Sequence, residues 1–447
     1  MAKRTGRVGI VGLGYVGLST AVSFASRGIA TVGIDVDEGK LARIANGEPP
    51  FVEKGLPELL GKALRHRRLM VTSDCDALAG AGVVFVTVGT PSADDGSIDL
   101  SCIRNATSSV GRMLRRSEGY SLIVVKSTVI PGTADDLVMP VLMSESRRKQ
   151  ADFGLASNPE FLREGHAIED TMHPDRLVIG VEDKKSERTL VSFYRGFYGR
   201  LPKILLTTPV NAELIKYASN SFLATKISFI NDIARLCNSI PGADIRVVAE
   251  GMGLDKRIAP GFLSAGLGYG GSCFGKDIKA LLSFAQSKGV ELRIPRAAHE
   301  TNERQPLLAL EVARKHLGDL SGKRIAILGL SFKPGTDDMR EAVSVVLING
   351  LLKAGASVVA YDPVAIENAR KILGSEVSYS KSAASSIQGA DCCILATEWE
   401  EFKRLRPKNF AKMNRPFLID GRRVYDPAVF RGKLEFEAVG LGTESPR

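Results

Sequence analysis

The fold of this chain is decided by one stretch near its start, Arg7-Val8-Gly9-Ile10-Val11-Gly12-Leu13-Gly14-Tyr15-Val16-Gly17. Its first five residues form a short, mostly apolar run, which predicts a buried strand. A helical pattern extends from Leu18 to Arg27, and Gly28 ends it. A second strand follows at 30–34, closed by Asp35. This order of strand, glycine loop, helix, strand and acid predicts a Rossmann-type dinucleotide-binding unit.

The spacing of the glycines assigns a separate task to each. Gly12 allows the tight turn, Gly14 lets the backbone approach a pyrophosphate, and Gly17 lets the helix pack on the strand. Asp35, twenty-three residues after Gly12, is placed to accept hydrogen bonds from ribose hydroxyls. Because a carboxylate there would repel a 2′-phosphate, we expect NAD rather than NADP.

Two later strands predict further contacts to the cofactor. Buried runs at 83–88 and 122–125 lead into loops that carry Thr90 and Thr128. Ligands of open α/β sheets bind beyond the carboxyl ends of the strands, so both threonines are candidates for contacts near the nicotinamide. Each also fits an ordinary threonine in a turn.

A long helical pattern from Asn211 to Asn238 occupies the middle of the chain. Lys216 and Asn220 are four residues apart and therefore share one face of it. An ammonium beside an amide donor suits the stabilisation of an oxyanion, and the alternative is a surface lysine with a polar neighbour. Glu160 and Glu164, also four apart, fit either acid–base chemistry or a solvated turn.

A glycine-dense loop, 268–277, delivers a single cysteine, Cys273. If a helix begins there, its unpaired N–H groups and its dipole favour a thiolate. Asp277 then lies one turn further on the same face, as expected for a nucleophile with a nearby base. The alternative is that Cys273 is a small buried hydrophobic residue in a glycine turn.

A second α/β lobe is predicted in the last third of the chain. Its first two strands fall within 322–329 and 356–363, and they echo the beginning of the chain. The loop at 329–335 lacks the dinucleotide fingerprint, so we expect this lobe to bind a different nucleotide. The basic candidates for phosphate contacts are Lys333, Arg340, Arg422 and Arg423.

Composition excludes several classes of protein. The chain has 447 residues and a formal net charge of +10, which fits anionic small ligands or simply solubility. Its basic clusters lack interleaved aromatic residues, so we expect no nucleic-acid binding. No apolar run of eighteen residues and no signal peptide appear, and five histidines show no metal-ligand spacing. Six scattered cysteines predict reduced thiols and a cytoplasmic protein.

Several motifs occur together in the order seen in one enzyme family. They are Gly12-Leu13-Gly14-Tyr15-Val16-Gly17, the segment 158–165, Lys216 with Asn220, Gly270-Gly271-Ser272-Cys273, Ser331-Phe332-Lys333 and Asp420-Gly421-Arg422-Arg423. On these motifs the chain resembles the UDP-glucose/GDP-mannose dehydrogenase family from about Val8 to Val439. The resemblance implies the four-electron oxidation of a sugar CH2OH to a carboxylate with two NAD, converting UDP-glucose to UDP-glucuronate.

The expected fold is α/β, with two Rossmann-like doubly wound lobes joined by a long central helix and a helical connector domain. We expect an NAD-binding domain at 1–205, a central helical and dimerisation domain with the cysteine loop at 206–310, and a UDP-sugar domain at 311–447. The resemblance further implies a homodimer or higher homo-oligomer built through the central helix.

The resemblance also implies roles for individual residues. Cys273 would attack an aldehyde and carry a thioester, and Arg257 would reach the site of a neighbouring subunit. The residues implied for catalysis are Cys273, Lys216, Asn220, Asp277, Glu160 and Thr128. Those implied for NAD binding are Gly12, Gly14, Tyr15, Val16, Gly17, Asp35, Lys40, Thr90, Thr128 and Glu164. Those implied for substrate binding are Phe161, Leu162, Glu164, Lys216, Asn220, Arg257, Phe262, Gly270, Phe332, Lys333 and Arg422.

The chain departs from the family pattern at Lys54, where the family often has proline. The segments 158–165 and 174–176 are most similar to the branch that acts on UDP-glucose. Enzymes for GDP-mannose or UDP-N-acetylhexosamines remain alternatives, as do a two-electron hydroxy-acid dehydrogenase and a non-catalytic NAD-responsive regulator. The last third of the chain argues against the hydroxy-acid dehydrogenase, which needs neither Cys273 nor a second nucleotide lobe.

Overall fold

The computed structural model describes residues 6–443, and the chain divides into two compact units. Unit 1 contains the residues up to Ser219 together with Lys279–Lys288. Unit 2 contains Asn220–Ile278 and the residues from Gly289 onward. The division passes through two helices, each of which therefore contributes to both units.

Unit 1 is built on an eight-stranded sheet. Its strands are β1 (Val8–Val11), β2 (Thr31–Ile34), β3 (Leu69–Thr72), β4 (Val83–Val86), β5 (Leu122–Val125), β6 (Gly154–Ser157), β7 (Arg176–Gly180) and β8 (Lys203–Thr207). Their spatial order is β3-β2-β1-β4-β5-β6-β7-β8. Neighbouring strands are parallel except for the antiparallel pair β6 and β7. The sheet is therefore doubly wound, with β1 and β4 at the point where the strand order reverses.

Helices cover both faces of this sheet. They are α1 (Tyr15–Ser26), α2 (Glu38–Ala45), α3 (Leu56–Arg65), α4 (Ser101–Arg116), α5 (Met139–Ser146), α6 (Ala167–Met172), α7 (Lys184–Tyr198) and the first part of α8 (Pro209–Asn238). Alternate residues of β4 serve different cores: Val83 and Phe85 join one cluster, and Val84 and Val86 join the other. A strand buried on both faces needs apolar residues at every position, which explains the uninterrupted runs in the sequence.

Unit 2 contains a six-stranded parallel sheet. Its strands are β9 (Arg324–Leu328), β10 (Ser357–Tyr361), β11 (Val377–Tyr379), β12 (Cys392–Leu395), β13 (Phe417–Asp420) and β14 (Glu435–Ala438), in the order β11-β10-β9-β12-β13-β14. Within residues 6–443, the remaining α-helices are α9 (Ile245–Gly253), α10 (Phe274–Ser287), α11 (Arg293–Arg304), α12 (Leu307–Leu317), α13 (Val343–Lys353), α14 (Ile366–Leu373), α15 (Ala383–Ile387), α16 (Glu400–Lys403) and α17 (Pro427–Phe430).

The expected fold class is confirmed: the protein is α/β, with two largely parallel sheets and one long helix. The helix predicted at 211–238 is α8, which begins two residues earlier, at Pro209. Cys392 and Cys393 lie fully buried in β12. The three-domain division at residues 205 and 310 stays a prediction.

Candidate active site

The turn between β1 and α1 has the geometry of a pyrophosphate-binding loop. Gly12 adopts a φ of 94°, in the region that favours glycine. A Cβ at Gly17 would lie 1.8 Å from the Gly12 carbonyl oxygen, so only glycine allows this helix start. A Cβ at Gly14 would meet no atom of residues 6–443 within 4 Å, which leaves room for a ligand. Tyr15 and Val16 form the first turn of α1, whose N–H groups suit an anion.

Asp35 lies directly after β2 and is 7% exposed. Its carboxylate accepts hydrogen bonds from the Leu13 N–H at 2.7 Å and the Asp37 N–H at 3.1 Å, and Lys40 Nζ lies 2.9 Å away. Burial acts to raise the pKa of Asp35, but the hydrogen bond from Lys40 and those from the backbone outweigh it and hold the pKa below its ordinary value. The structure thus joins Asp35 to Lys40, both predicted to bind the cofactor. An ionised acid next to a lysine fits ribose hydroxyls, so the residues present fit NAD.

The two predicted threonines are brought together at the carboxyl ends of β4 and β5. Thr90 Oγ1 donates to the Thr128 carbonyl oxygen at 2.9 Å. This bond links the loops that follow the two strands, and Thr128 itself is half-buried. The loops therefore act as one piece of structure at the sheet edge where a ligand of this fold binds.

Glu160 and Lys216 form a buried ion pair in unit 1. Lys216 Nζ lies 3.0 Å from Glu160 Oε1, and the residues are 3% and 7% exposed. Burial of this kind excludes the surface-lysine interpretation. Glu160 also accepts the Leu162 N–H, and the intervening Phe161 ring lies 5.4 Å from Lys216 Nζ. Three residues predicted from the 158–165 motif are therefore grouped around one predicted catalytic lysine.

Lys126 is a charged member of this cluster that sequence reasoning did not single out. It is 7% exposed, and its Nζ lies 3.4 Å from Asn158 Oδ1. Burial lowers the pKa of Lys126 to about 8, Glu160 opposes that shift and Lys216 reinforces it. The sequence did contain a signal for Lys126, because it directly follows the buried strand β5, and the carboxyl ends of such strands border the ligand crevice.

Glu164 lies in a loop held by a second residue that sequence reasoning missed, Glu53. Glu53 accepts the N–H groups of Gly165 at 2.7 Å and Ala167 at 2.8 Å, and the Tyr15 hydroxyl also contacts the Gly165 N–H. Both glutamates are buried. The segment around Lys54, where the chain departs from the family pattern, thus supports the loop of a predicted site residue.

In unit 2 the predicted nucleophile stands at the start of α10. The Cys273 carbonyl oxygen accepts the Asp277 N–H at 2.8 Å, so the predicted helix start is confirmed. Asp277 is 2% exposed; it accepts from Asn220 Nδ2 at 2.7 Å and from Lys276 Nζ at 2.6 Å. Cys273 is half-buried, with Ser272 Oγ 3.6 Å from its Sγ. Asn220 therefore orients Asp277, a contact that spacing alone did not indicate.

The glycine loop before Cys273 packs against the loop that follows β9. The Gly271 N–H donates to the Arg340 carbonyl oxygen at 2.9 Å, and a Cβ at Gly271 would lie 2.7 Å from the Phe332 ring. Gly270 packs equally tightly against Glu341 of that loop, since a Cβ at Gly270 would lie 2.2 Å from the Glu341 carbonyl oxygen. Phe332 and Gly270, both predicted to bind substrate, therefore lie on two loops that pack together.

The basic residues of unit 2 have different surroundings. Arg422 donates to the carbonyl oxygens of Gly268 at 2.9 Å and Ala396 at 2.6 Å, while its buried Nη2 has no hydrogen-bond partner in the described part of the chain. Lys333 Nζ lies 5.4 Å from the Phe332 ring. Arg423, by contrast, is buried against Asp244 at the start of α9 and has a structural contact.

Arg257 and Phe262 lie on an exposed stretch after α9. The Arg257 side chain is 89% exposed and pairs with Asp255 at 2.6 Å. Phe262 adopts a φ of 65°, which is rare for a bulky residue, and its ring lies 6.2 Å from that of Phe274. Phe262 is thereby linked to the first residue of α10, whereas Arg257 bonds only within its own turn among the contacts described here.

The acid after the second strand of unit 2, Asp362, explains why this lobe lacks a dinucleotide site. It is 1% exposed and accepts from the Leu330 N–H at 2.8 Å, the Ser331 N–H at 3.1 Å and Trp399 Nε1 at 3.1 Å. Asp362 corresponds in position to Asp35, but its carboxylate is already hydrogen-bonded by donors of unit 2. Ribose hydroxyls therefore have no access to this carboxylate.

Within residues 6–443, no cluster of three or more histidine, cysteine, aspartate or glutamate side chains is arranged to hold a metal ion. No helix in the same part of the chain has the length and apolar character that crossing a membrane requires.

Comparison with known proteins places the chain among nucleotide-sugar dehydrogenases. Residues 6–198, 210–304 and 326–427 match the NAD binding domain, the central domain and the UDP binding domain of the UDP-glucose/GDP-mannose dehydrogenase family. A UDP-glucose 6-dehydrogenase of Haloferax volcanii is 43% identical over 96% of this chain and 99% of its own length. A UDP-glucose dehydrogenase structure from Pyrobaculum islandicum has a TM-score of 0.91 at 40% identity, covering 98% of each chain. A UDP-D-ManNAc dehydrogenase from Pyrococcus horikoshii has a TM-score of 0.84 at 28% identity, covering 97% of this chain and 99% of its own.

Proposed function

Because this chain belongs to the UDP-glucose/GDP-mannose dehydrogenase family, we propose that it oxidises the C6 hydroxymethyl group of UDP-glucose to the carboxylate of UDP-glucuronate with two NAD. One arrangement carries this proposal: a cysteine at the start of α10 with a buried, doubly hydrogen-bonded aspartate one turn further on. A two-electron dehydrogenase has no use for that nucleophile and base.

The chemistry proceeds through a covalent intermediate on Cys273. Loss of a proton and a hydride converts the CH2OH group to an aldehyde. The Cys273 thiolate then forms an S–C bond, and the carbonyl oxygen becomes an oxyanion. Loss of a second hydride gives a thioester, and attack by water breaks the S–C bond, releasing the carboxylate and the thiolate. When bound, NAD accepts the hydride in each of the two oxidations.

Individual residues have separate tasks in proton and charge handling. Lys216, paired with Glu160, supplies positive charge for the oxyanion. Asn220 and Lys276 hold the Asp277 carboxylate in place, so that it accepts a proton from the hydrolytic water. Thr128 positions water at the end of β5.

UDP-glucose is proposed over the alternative sugars because relatives that carry this name are much more similar to the chain. Identity is 43% and 40% for the two UDP-glucose enzymes, but 28% for the UDP-D-ManNAc dehydrogenase. In unit 2 the stacking surface of Phe332, the charge of Lys333 and the unpartnered Nη2 of Arg422 suit a uracil base and a diphosphate.

The NADH yield per nucleotide-sugar tests this function directly. Limiting UDP-glucose with excess NAD should yield two NADH per sugar and UDP-glucuronate, with UDP-N-acetylglucosamine and GDP-mannose far slower. A yield of one NADH with an accumulating aldehyde would overturn the four-electron reaction. Faster turnover of GDP-mannose would overturn only the choice of sugar.

The exposed side of α8 supports a homodimer. Phe222, Phe229 and Leu236 are 67%, 50% and 56% exposed and follow one another at intervals of seven residues, the spacing of a helix–helix seam. Phe229→Glu should give monomers in sedimentation velocity. Ile372→Glu, a control at an exposed position of α14, should leave the dimer intact. The exposed Arg257 is then available to a neighbouring subunit.

A cytoplasmic location fits this chemistry. A catalytic thiolate needs a reducing compartment, and the six cysteines, all within the described residues, form no disulfide. UDP-glucuronate formed there would supply polysaccharide synthesis.

A further inference from the structure

The Glu213 carboxylate accepts hydrogen bonds from two separate segments of unit 1. It accepts the Gly132 N–H at 2.7 Å, the Ala134 N–H at 3.1 Å and the Ser157 hydroxyl at 2.8 Å, and the residue is 3% exposed. We propose that Glu213 is a positioning residue that holds three catalytic segments in register while it is ionised. This inference rests on the proposed function, because those segments carry the groups assigned to the oxidation.

Each bonded segment leads to one assigned group. Gly132 lies in the loop that begins after β5 and carries Thr128, and Ala134 is the first residue of the short helical segment that follows this loop. Ser157 is the last residue of β6, three residues before Glu160. Glu213 itself lies in the second turn of α8, three residues before Lys216. A single carboxylate therefore fixes the loop of Thr128 and the strand end of Glu160 relative to the helix of Lys216.

The arrangement requires a carboxylate rather than a neutral acid or an amide. Three donors converge on two oxygens, and two of these donors are backbone N–H groups that cannot reverse direction. A protonated oxygen, or the NH2 group of glutamine, would face one of these N–H groups and lose that hydrogen bond. The serine hydroxyl alone can rotate to accept.

This ionised state is sensitive to pH near neutrality. Burial raises the pKa of Glu213 to about 7, against the hydrogen bonds from Ser157, Gly132 and Ala134, and the charge of Asp135 adds to the rise. Besides Asp135, the charged residue Lys216 lies three residues further along α8. The proposal therefore predicts that the loops loosen and turnover falls as the pH drops through about 7.

The effect of pH on stability is opposite to its effect on turnover: ionisation of Glu213 should raise turnover but lower the stability of the fold. This difference distinguishes a positioning role from a purely structural one. A carboxyl pKa raised by folding means that the folded state binds more protons than the unfolded state between about pH 4.5 and 7. Glu213 thus contributes less stability once the pH exceeds about 7. Glu213→Gln should therefore be at least as stable as the parent protein at pH 8, although it loses a loop contact.

The experiment compares Glu213→Gln with Asp183→Asn in the full-length protein. Asp183, an exposed residue directly before α7, is a control with the same donor set in unit 1: it also accepts two backbone N–H groups, from Lys185 and Ser186, and the Ser186 hydroxyl, but none of these belongs to a catalytic segment. At pH 8, Glu213→Gln should exchange the amides of 128–134 about tenfold faster and lower kcat about tenfold or more. Its Tm should not fall, and its kcat should be flat between pH 6 and 8.

The control should show the reverse pattern. Partial burial acts to raise the pKa of Asp183, but several hydrogen bonds hold it below its ordinary value, so Asp183→Asn should lower the Tm at pH 8 and leave kcat within about twofold. Parental exchange and kcat in Glu213→Gln would overturn the proposal, and so would an equal loss of kcat in both variants. If Glu213→Gln does not fold, Ser157→Ala removes one of the three bonds and should still speed exchange and lower kcat; parental values for both would overturn the proposal.

Amide exchange keeps this test independent of the proposed reaction. It is measured without substrate, so faster exchange in Glu213→Gln would establish the bonding role even if UDP-glucose gave no NADH. Absence of NADH with the parent protein would overturn the proposed function instead.

Discussion

Replacement of Lys216 by methionine tests the buried ion pair most directly. The substitution keeps most of the side-chain volume but removes the ammonium 3.0 Å from Glu160 Oε1. Both residues are almost fully buried, so water cannot replace the lost partner. The variant therefore leaves a carboxylate buried beside apolar and neutral groups, with Lys126 as its remaining cation.

The size of the effect follows from this geometry. With an effective dielectric constant of about 20, two unit charges at this separation attract each other by roughly 5.5 kcal/mol. Removing one partner of a buried pair typically costs about 3–5 kcal/mol. Because Lys126 still compensates part of the Glu160 charge, we expect a loss of about 3 kcal/mol in the free energy of unfolding, at the lower end of that range.

Urea unfolding of four proteins at pH 8 measures this loss: the parent, Lys216→Met, Glu160→Gln and the double variant. The double variant should recover at least half of the loss, since it leaves no uncompensated carboxylate. Lys184→Met is the matched control, because its pair with Glu187 at 2.7 Å is exposed and should contribute less than about 1 kcal/mol. A Lys216→Met loss no greater than that of the control, or a double variant no more stable than Lys216→Met, would refute the reasoning.

Four further outcomes are expected. Cys273→Ala should bind both ligands in calorimetry but give no NADH, whereas near-parental turnover would remove Cys273 from the chemistry. Burial lowers the pKa of Lys126 to about 8, so between about pH 8 and 10.5 the unfolded chain binds more protons than the folded protein, and the stability of the parent protein should rise with pH. Lys126→Met should abolish this rise. The parent should gain roughly 3 kcal/mol across that range, and equal pH dependence in both proteins would contradict the assignment. Asp35→Ala should weaken NAD binding at least tenfold more than UDP-glucose binding, and equal losses would place Asp35 elsewhere. Lys333→Ala and Arg422→Ala should raise KM for UDP-glucose with NAD affinity unchanged, as titrations of each ligand would show.

The candidate site was predictable where its chemistry is written into short segments. Cys273 and Asp277 are four residues apart, and the glycine loop before them indicates where a helix begins, so their relation required no knowledge of the rest of the chain. The contact of Asp277 with Asn220 was not predictable in this way. It joins residues 57 positions apart, and spacing along α8 indicated only that Asn220 shares a face with Lys216.

The sequence by itself determined the dinucleotide-binding unit from β1 to Asp35, because glycine geometry and apolar periodicity act over a few residues. It also determined the length of α8 to within two residues. Only the tertiary structure decided which charged groups are buried and what they face. Glu53 and Glu213 look like ordinary surface residues in the sequence, and they acquire their contacts and raised pKa values from segments up to 114 residues away. Burial and electrostatic pairing depend on how distant segments of the chain come together, and no local pattern specifies that.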